Sequence, residues 1–258
     1  MMKLNDPTAS ERLPNLKGVG VDQHLNEQVP LDLAFRDENG NAVRLGDYFG
    51  SKPVILNLAY YQCTMLCGEV MNGMVGSLKA LQFDIGKEFN VLTVSFDPRE
   101  TPQMATDKKK QMMQRYRRPG APEGWHFLTG DAASVNALTK TVGFDYQYDP
   151  KADQYAHAAA IMVLTPRGKL SKYFYGVDFA PKDLRLGLIE ASENKIGTLV
   201  DQVLLYCYHY NPSTGKYGAV IMNILRLAGG ATVLILGSFV IIMLRRDAVS
   251  GAGTARIG

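Results

Sequence analysis

The sequence predicts an α/β fold, a mixed sheet with helices on both faces, followed by a single apolar C-terminal helix. Two continuous apolar runs, PVILNLAYY (53–61) and VLTVSF (91–96), have the length and composition of strands buried on both faces. Segments with helical spacing alternate with these runs. A late pair of strands is joined by Thr165-Pro166-Arg167-Gly168, which suits a type I turn.

Each element follows from local chemistry. Residues 1–28 are polar, carry Pro7, Pro14, Gly18 and Gly20, and read as an extended arm. Residues 31–35 alternate, the turn-forming stretch Asp37-Glu38-Asn39-Gly40-Asn41 follows, and 42–45 returns, which makes a hairpin. After the 53–61 strand, Val70, Met74, Leu78 and Leu81 place a helix over 68–83, with Met71 and Met74 on its core stripe. The 91–96 strand ends at Asp97-Pro98. Thr101-Pro102 then opens a polar helix to about Tyr116. A short strand is expected at 127–129, and Asp131 caps a helix that stops at Gly143. Strands at 158–164 and 170–175 and a helix over 181–193 complete the order. This order fits a thioredoxin-like domain over 29–195 best.

Composition narrows the function. The 258 residues are 46% apolar and 21% charged, which is globular rather than disordered. A net charge of +3, from 28 Lys and Arg against 25 Asp and Glu, argues against a nucleic-acid partner. Three cysteines are too few for a disulfide-stapled scaffold, and a mean hydropathy of −0.10 rules out a multi-span membrane protein.

One stretch does read as membrane-spanning. Residues 227–244 carry no charge, and a helix of that length rises about 27 Å against a hydrocarbon layer of roughly 30 Å. With the apolar turn before Arg226, the span is expected over 219–246, after a juxtamembrane segment at 196–218 and before a short cytoplasmic tail at 247–258. Arg245, Arg246 and Arg256 outweigh Lys216 and Arg226, which puts the C-terminus in the cytoplasm and residues 1–218 outside. Met1 to Leu16 lacks the apolar core of a signal peptide.

Cys63 and Cys67 fall where a buried strand ends and a helix begins, a place where unpaired N–H groups and the helix dipole favour thiolates. A C-x3-C loop closes a disulfide or directs both sulfurs at one metal ion. Of the four histidines, His157 is the one that the topology brings near the pair, because the loop before the 158–164 strand faces the first strand–helix junction. His24 lies in the arm, His126 beside Trp125, and His209 two residues after Cys207. A thioredoxin reductant has a proline at that loop, whereas this chain has Asp153-Gln154-Tyr155-Ala156, which leaves room for an imidazole.

The strand–CysThrMetLeuCys–helix unit, VSFDPRETP (94–102), Trp125-His126-Phe127-Leu128-Thr129-Gly130 and AHAAAIMVLTPRGKL (156–170) occur in order, and together they resemble the SCO/SenC family over roughly 28–195. The resemblance implies a membrane-anchored protein of the cell inner membrane, with its main domain facing the periplasm. It further implies one copper ion bound by Cys63, Cys67 and His157, and Asp97 matches an acidic residue of the family's Asp-Pro loop. The implied partner is the cytochrome c oxidase subunit that carries the binuclear copper site, to which such proteins deliver metal or whose cysteines they reduce. Thr64, Met65 and Gly68 replace the family's usual Pro, Asp and Pro, and the anchor is C-terminal rather than N-terminal.

Two thiolates and an imidazole suit trigonal Cu(I), with Cu(II) also accommodated, whereas zinc favours a closed tetrahedron. Met65 offers a soft auxiliary donor in the loop, but a methionine there reads as a packing residue first. The same dithiol serves a thiol–disulfide oxidoreductase, with Cys63 attacking and Cys67 resolving. An accessory structural subunit of a respiratory complex is the third reading. The basic stretch of Lys108, Lys109, Lys110, Arg115, Arg117 and Arg118 reads as a solvated helix face, though it also suits an acidic partner or lipid headgroups.

Overall fold

The structure, a computed structural model, describes residues 18–63, 66–194, 210–211, 216–217 and ten positions between 226 and 241. The chain divides into two compact units, Pro14–Gly197 and a second formed by Met1–Leu13 with Thr198–Gly258.

The first unit is built on a five-stranded sheet. Strand β4 (Val54–Ala59) pairs in parallel with β5 (Asn90–Ser95), and β5 in parallel with β6 (Trp125–Leu128). On the other side of β4 lie β9 (Ala160–Leu164) and β10 (Leu170–Tyr175), each antiparallel to its neighbour, which gives the order β10-β9-β4-β5-β6. Helix α1 (Leu66–Ala80) crosses from β4 to β5, and α2 (Pro102–Tyr116) from β5 to β6. Every residue of β4 and β9 is buried, so both faces of the sheet are covered. That explains the continuous apolar runs. This is the thioredoxin-like mixed sheet expected.

The other elements follow their local signals. The early hairpin forms as β2 (Ala34–Arg36) and β3 (Ala42–Arg44) around Asp37, whose carboxylate accepts the N–H groups of Asn39 and Asn41. Asp131 caps α3 (Ala132–Thr141) by accepting the Ser134 N–H at 2.7 Å. The turn at 165–168 closes with Gly168 N–H donating to Thr165 O, and α4 (Pro181–Ser192) ends the unit.

One part of the expectation needs correcting. Residues 144–157, read only as connection, form a second sheet in which β7 (Phe144–Asp149) and β8 (Gln154–His157) make a hairpin. Residues 18–28, read as the end of the arm, run along this unit. There β1 (Gly20–Val21) pairs with β7, Asn26 donates to Leu170 O, and Val29 N–H donates to Gly168 O. His157 therefore ends a strand rather than lying in a loop.

In the second unit Tyr210–Asn211 pairs antiparallel with Lys216–Tyr217. The described positions between 226 and 241 are helical, with Val233, Leu234, Leu236 and Ile241 exposed. No helix among the described residues is long and apolar enough to cross a membrane. Most of the expected span at 219–246, together with Cys207, His209, Thr64, Met65 and the tail at 247–258, lies outside the described residues.

Candidate metal centre

The centre is assembled where β4 gives way to α1. Tyr60 and Tyr61 continue buried past the strand end, and the chain then turns, with Cys63 N–H donating to Tyr60 O at 3.2 Å. Two devices hold the turn. The Tyr61 hydroxyl lies 2.7 Å from Leu128 O and 3.0 Å from Thr93 O, beneath β5 and β6. The buried Glu100 carboxylate accepts the N–H groups of Tyr61 (2.8 Å) and Gln62 (2.9 Å) and the Ser95 hydroxyl (2.5 Å). Burial pushes the Glu100 carboxyl upward, against the pull of these donors.

Cys67 lies in the first turn of α1, where the N–H groups have no partner within the helix. Its own N–H donates to Cys63 Sγ at 3.4 Å, so the backbone that opens the helix solvates the first sulfur. Cys67 is 1% exposed and Cys63 half-buried, and no disulfide joins them. The hydrogen bond with Cys63 and burial both push the Cys67 thiol well above its ordinary range, so a metal must displace its proton.

His157 completes the group. It is 9% exposed, and its Nε2 stands 3.0 Å from Cys67 Sγ. Its Nδ1 is 2.9 Å from Ala158 O. A carbonyl oxygen only accepts, so Nδ1 carries the proton and Nε2 turns its lone pair toward the sulfurs. Edge-on contacts from Tyr60 and Phe96 and a tilted one from Phe144, with ring centroids 6.1, 5.3 and 6.0 Å away, wall the imidazole in. One ligand atom from each of Cys63, Cys67 and His157 lies within 4.8 Å of the others. Two soft sulfurs and one imidazole nitrogen, three donors brought together, form a group that could hold a thiophilic transition-metal ion.

Asp97 does not enter this ring. It is held by Arg99, through Nε and Nη2 at 2.8–3.1 Å. Burial works against its charge, but the guanidinium outweighs it and lowers the carboxyl below its ordinary range. The other two described histidines have other tasks. His24 Nδ1 reaches Thr141 O, and His126 stacks at a tilt on Tyr48 beside Glu38. The basic stretch is partly the solvated face expected, with Lys110, Arg115 and Arg117 exposed, and partly tied down. Lys109 pairs with buried Glu38, Arg115 with Asn72, and Arg118 with Asp84.

One supporting residue, Glu100, and one element, the β7–β8 hairpin, escaped the sequence reading. Glu100 lay within the singled-out 94–102 stretch, but nothing in its spacing points back to residues 61 and 62. The β7–β8 hairpin had a signal, since Phe144-Asp145-Tyr146-Gln147-Tyr148-Asp149 alternates with period two.

A family model described as SCO1/SenC matches residues 22–185. No curated protein sequence matches the chain. Among solved structures the fold is similar to that of a protein from Aquifex aeolicus VF5, at 24% identity and a TM-score of 0.57, over 66% of this chain and 95% of that one. It is also similar to Arabidopsis thaliana ScoI with copper bound (16%, TM-score 0.51, 63% and 96% covered). A third similar structure is BsSco, a member of the Sco family of cytochrome c oxidase assembly proteins (21%, TM-score 0.51, 67% and 99% covered).

Proposed function

The chain belongs to the SCO1/SenC family, and from that membership we propose that it binds one copper ion through Cys63, Cys67 and His157 in cytochrome c oxidase assembly. The convergence of two sulfurs and an imidazole nitrogen within 4.8 Å carries this reading. Copper is cargo here. A three-coordinate ion beside the half-buried Cys63 leaves by exchanging one ligand at a time with an acceptor, the binuclear copper site of the oxidase. The apolar 219–246 segment, with Val233, Leu234, Leu236 and Ile241 exposed, supports a membrane anchor that holds the copper domain at the outer face of the inner membrane.

Titration of the full chain in detergent with Cu(I), against a colorimetric chelator, tests the proposal. One tight equivalent is expected, with Cys63→Ser, Cys67→Ser and His157→Ala each weakening it at least tenfold. Binding by His157→Ala equal to that of the parent would remove the imidazole from the ligand set.

The asymmetry of the thiols favours a second activity at the same site. Cys63 is the accessible sulfur and receives the Cys67 N–H, whereas buried Cys67 retains its proton. Cys63 thiolate attacks a partner disulfide and forms a mixed disulfide. Cys67, once deprotonated, displaces the partner thiol, leaving a Cys63–Cys67 disulfide and a reduced partner. Turnover of a disulfide substrate without copper, abolished in Cys63→Ser, is the expected sign of it.

A further inference from the structure

Arg99 lies outside the ligand group yet joins the two parts of the fold between which the group is divided. The thiols sit past the C-terminal end of the central strand β4 of the five-stranded sheet, whereas His157 is carried by the β7–β8 hairpin, which shares no strand pairing with that sheet. On the sheet side, Asp97 is fixed by its N–H donating to Ser95 Oγ at 3.1 Å, and its carboxylate is 4% exposed. Arg99 grips both oxygens of that carboxylate. The far end of the guanidinium, Nη1, donates to Asp153 Oδ1 at 2.9 Å and reaches the Tyr148 hydroxyl at 3.4 Å. The Tyr148 hydroxyl donates to the same Asp153 oxygen at 2.6 Å. The guanidinium carbon also stands 5.0 Å from the Tyr148 ring and 5.7 Å from that of Tyr155, which lies two residues before His157 on β8. One side chain therefore clasps both arms of the hairpin to the loop after β5.

We propose that Arg99 is the positioning residue for His157, its guanidinium holding the β7–β8 hairpin so that the imidazole meets the two thiols. The inference rests on the copper-binding reading above. Arginine is required by the geometry, because a bidentate grip on one carboxylate, a bond to a second and stacking on two tyrosines exceed what one ammonium supplies. Arg99 is 53% exposed and Asp153 73% exposed, so the Arg99–Asp153 arm adds little to folding and Asp153→Ala separates the effect on the metal from stability, whereas Arg99→Ala also leaves the buried Asp97 carboxylate without its partner.

Cu(I) affinity is measured on the full chain for the parent, Arg99→Ala, Arg99→Lys, Asp153→Ala, His157→Ala and the double variant Arg99→Ala/His157→Ala. Removing a group that orients a metal ligand weakens binding by about tenfold or more. Arg99→Ala is expected to show that loss, Arg99→Lys not to restore it, and Asp153→Ala to shift affinity the same way by less. In the His157→Ala background, Arg99→Ala is expected to have no further effect, since the ligand it positions is gone. Parent-like affinity in Arg99→Ala, or an equal loss with and without His157, overturns the inference while leaving copper binding intact. A parent chain that binds no Cu(I) overturns the copper reading instead. Where Arg99→Ala melts well below the parent, Asp153→Ala with and without His157 makes the same comparison, and parent-like affinity there overturns the clasp.

Discussion

Glu100 shows how much of the candidate centre depends on residues outside the Cys63, Cys67 and His157 group. Its carboxylate is the acceptor for two backbone N–H groups directly before Cys63, in a place where water does not substitute easily. Truncation to alanine leaves those donors short of partners, and the cost is roughly 2–4 kcal/mol. A lower urea midpoint is expected for Glu100→Ala, together with weakened Cu(I) binding, because the turn that aims Cys63 loosens. Stability equal to the parent's would show that the carboxylate is dispensable. The three residues of the candidate group could be singled out from the chain, the cysteines by their strand–helix junction and His157 by its place before a buried strand. The groups that orient them could not. Glu100 acts on residues 38 and 39 positions away, and Ala158 O fixes the imidazole tautomer by backbone direction alone.

At the level of elements, α1 carries Cys67 and its position is set by a close approach. A Cβ on Gly73 would fall 1.7 Å from Val177 O, in the loop after β10, and that backbone has no flexible end to give way. Gly73→Ala is therefore expected to push α1 from its seat at a cost of about 1–3 kcal/mol. A domain of this size loses roughly 2–4 °C in melting midpoint for each kcal/mol, so circular dichroism reads the effect directly. An unchanged midpoint would mean the helix has another resting place. The strands of the central sheet were readable because burial on both faces demands unbroken apolar runs. The β7–β8 hairpin was obscured for the opposite reason. It is a half-exposed ribbon with Tyr148 and Asp145 facing solvent, and its aromatic–polar alternation is short and broken at Pro150.

Across the first unit, Glu38 ties three elements together. It lies in the β2–β3 turn, pairs with Lys109 of α2 at 2.5 Å and accepts the Phe127 N–H of β6 at 3.1 Å. Burial opposes its charge, but hydrogen bonds from His126, Lys109 and Phe127 prevail and lower the carboxyl from 4.5 to about 2. The folded pKa is thus depressed, so the contribution is complete above pH 4.5 and is lost as pH falls from 4.5 toward 2. It amounts to at most about 3 kcal/mol and is reduced by solvent screening. Urea unfolding of Glu38→Gln is expected to lie below the parent at pH 7 and to converge with it near pH 2. A constant gap at both values would remove the carboxylate's charge from the cause. What the amino-acid order alone determined was the sheet type, most of the element sequence and the cysteine pair at the strand–helix junction. Those follow from hydrophobic period and turn chemistry, which are local properties, whereas His157 was reached only through the expected topology and the family resemblance. Tertiary structure alone decided that His157 rides on a separate hairpin, that Arg99 clasps that hairpin to Asp97, and that Glu100 braces the cysteine turn. Each of these contacts joins residues whose meeting depends on how sheets and loops pack, and no interval along the chain encodes that distance.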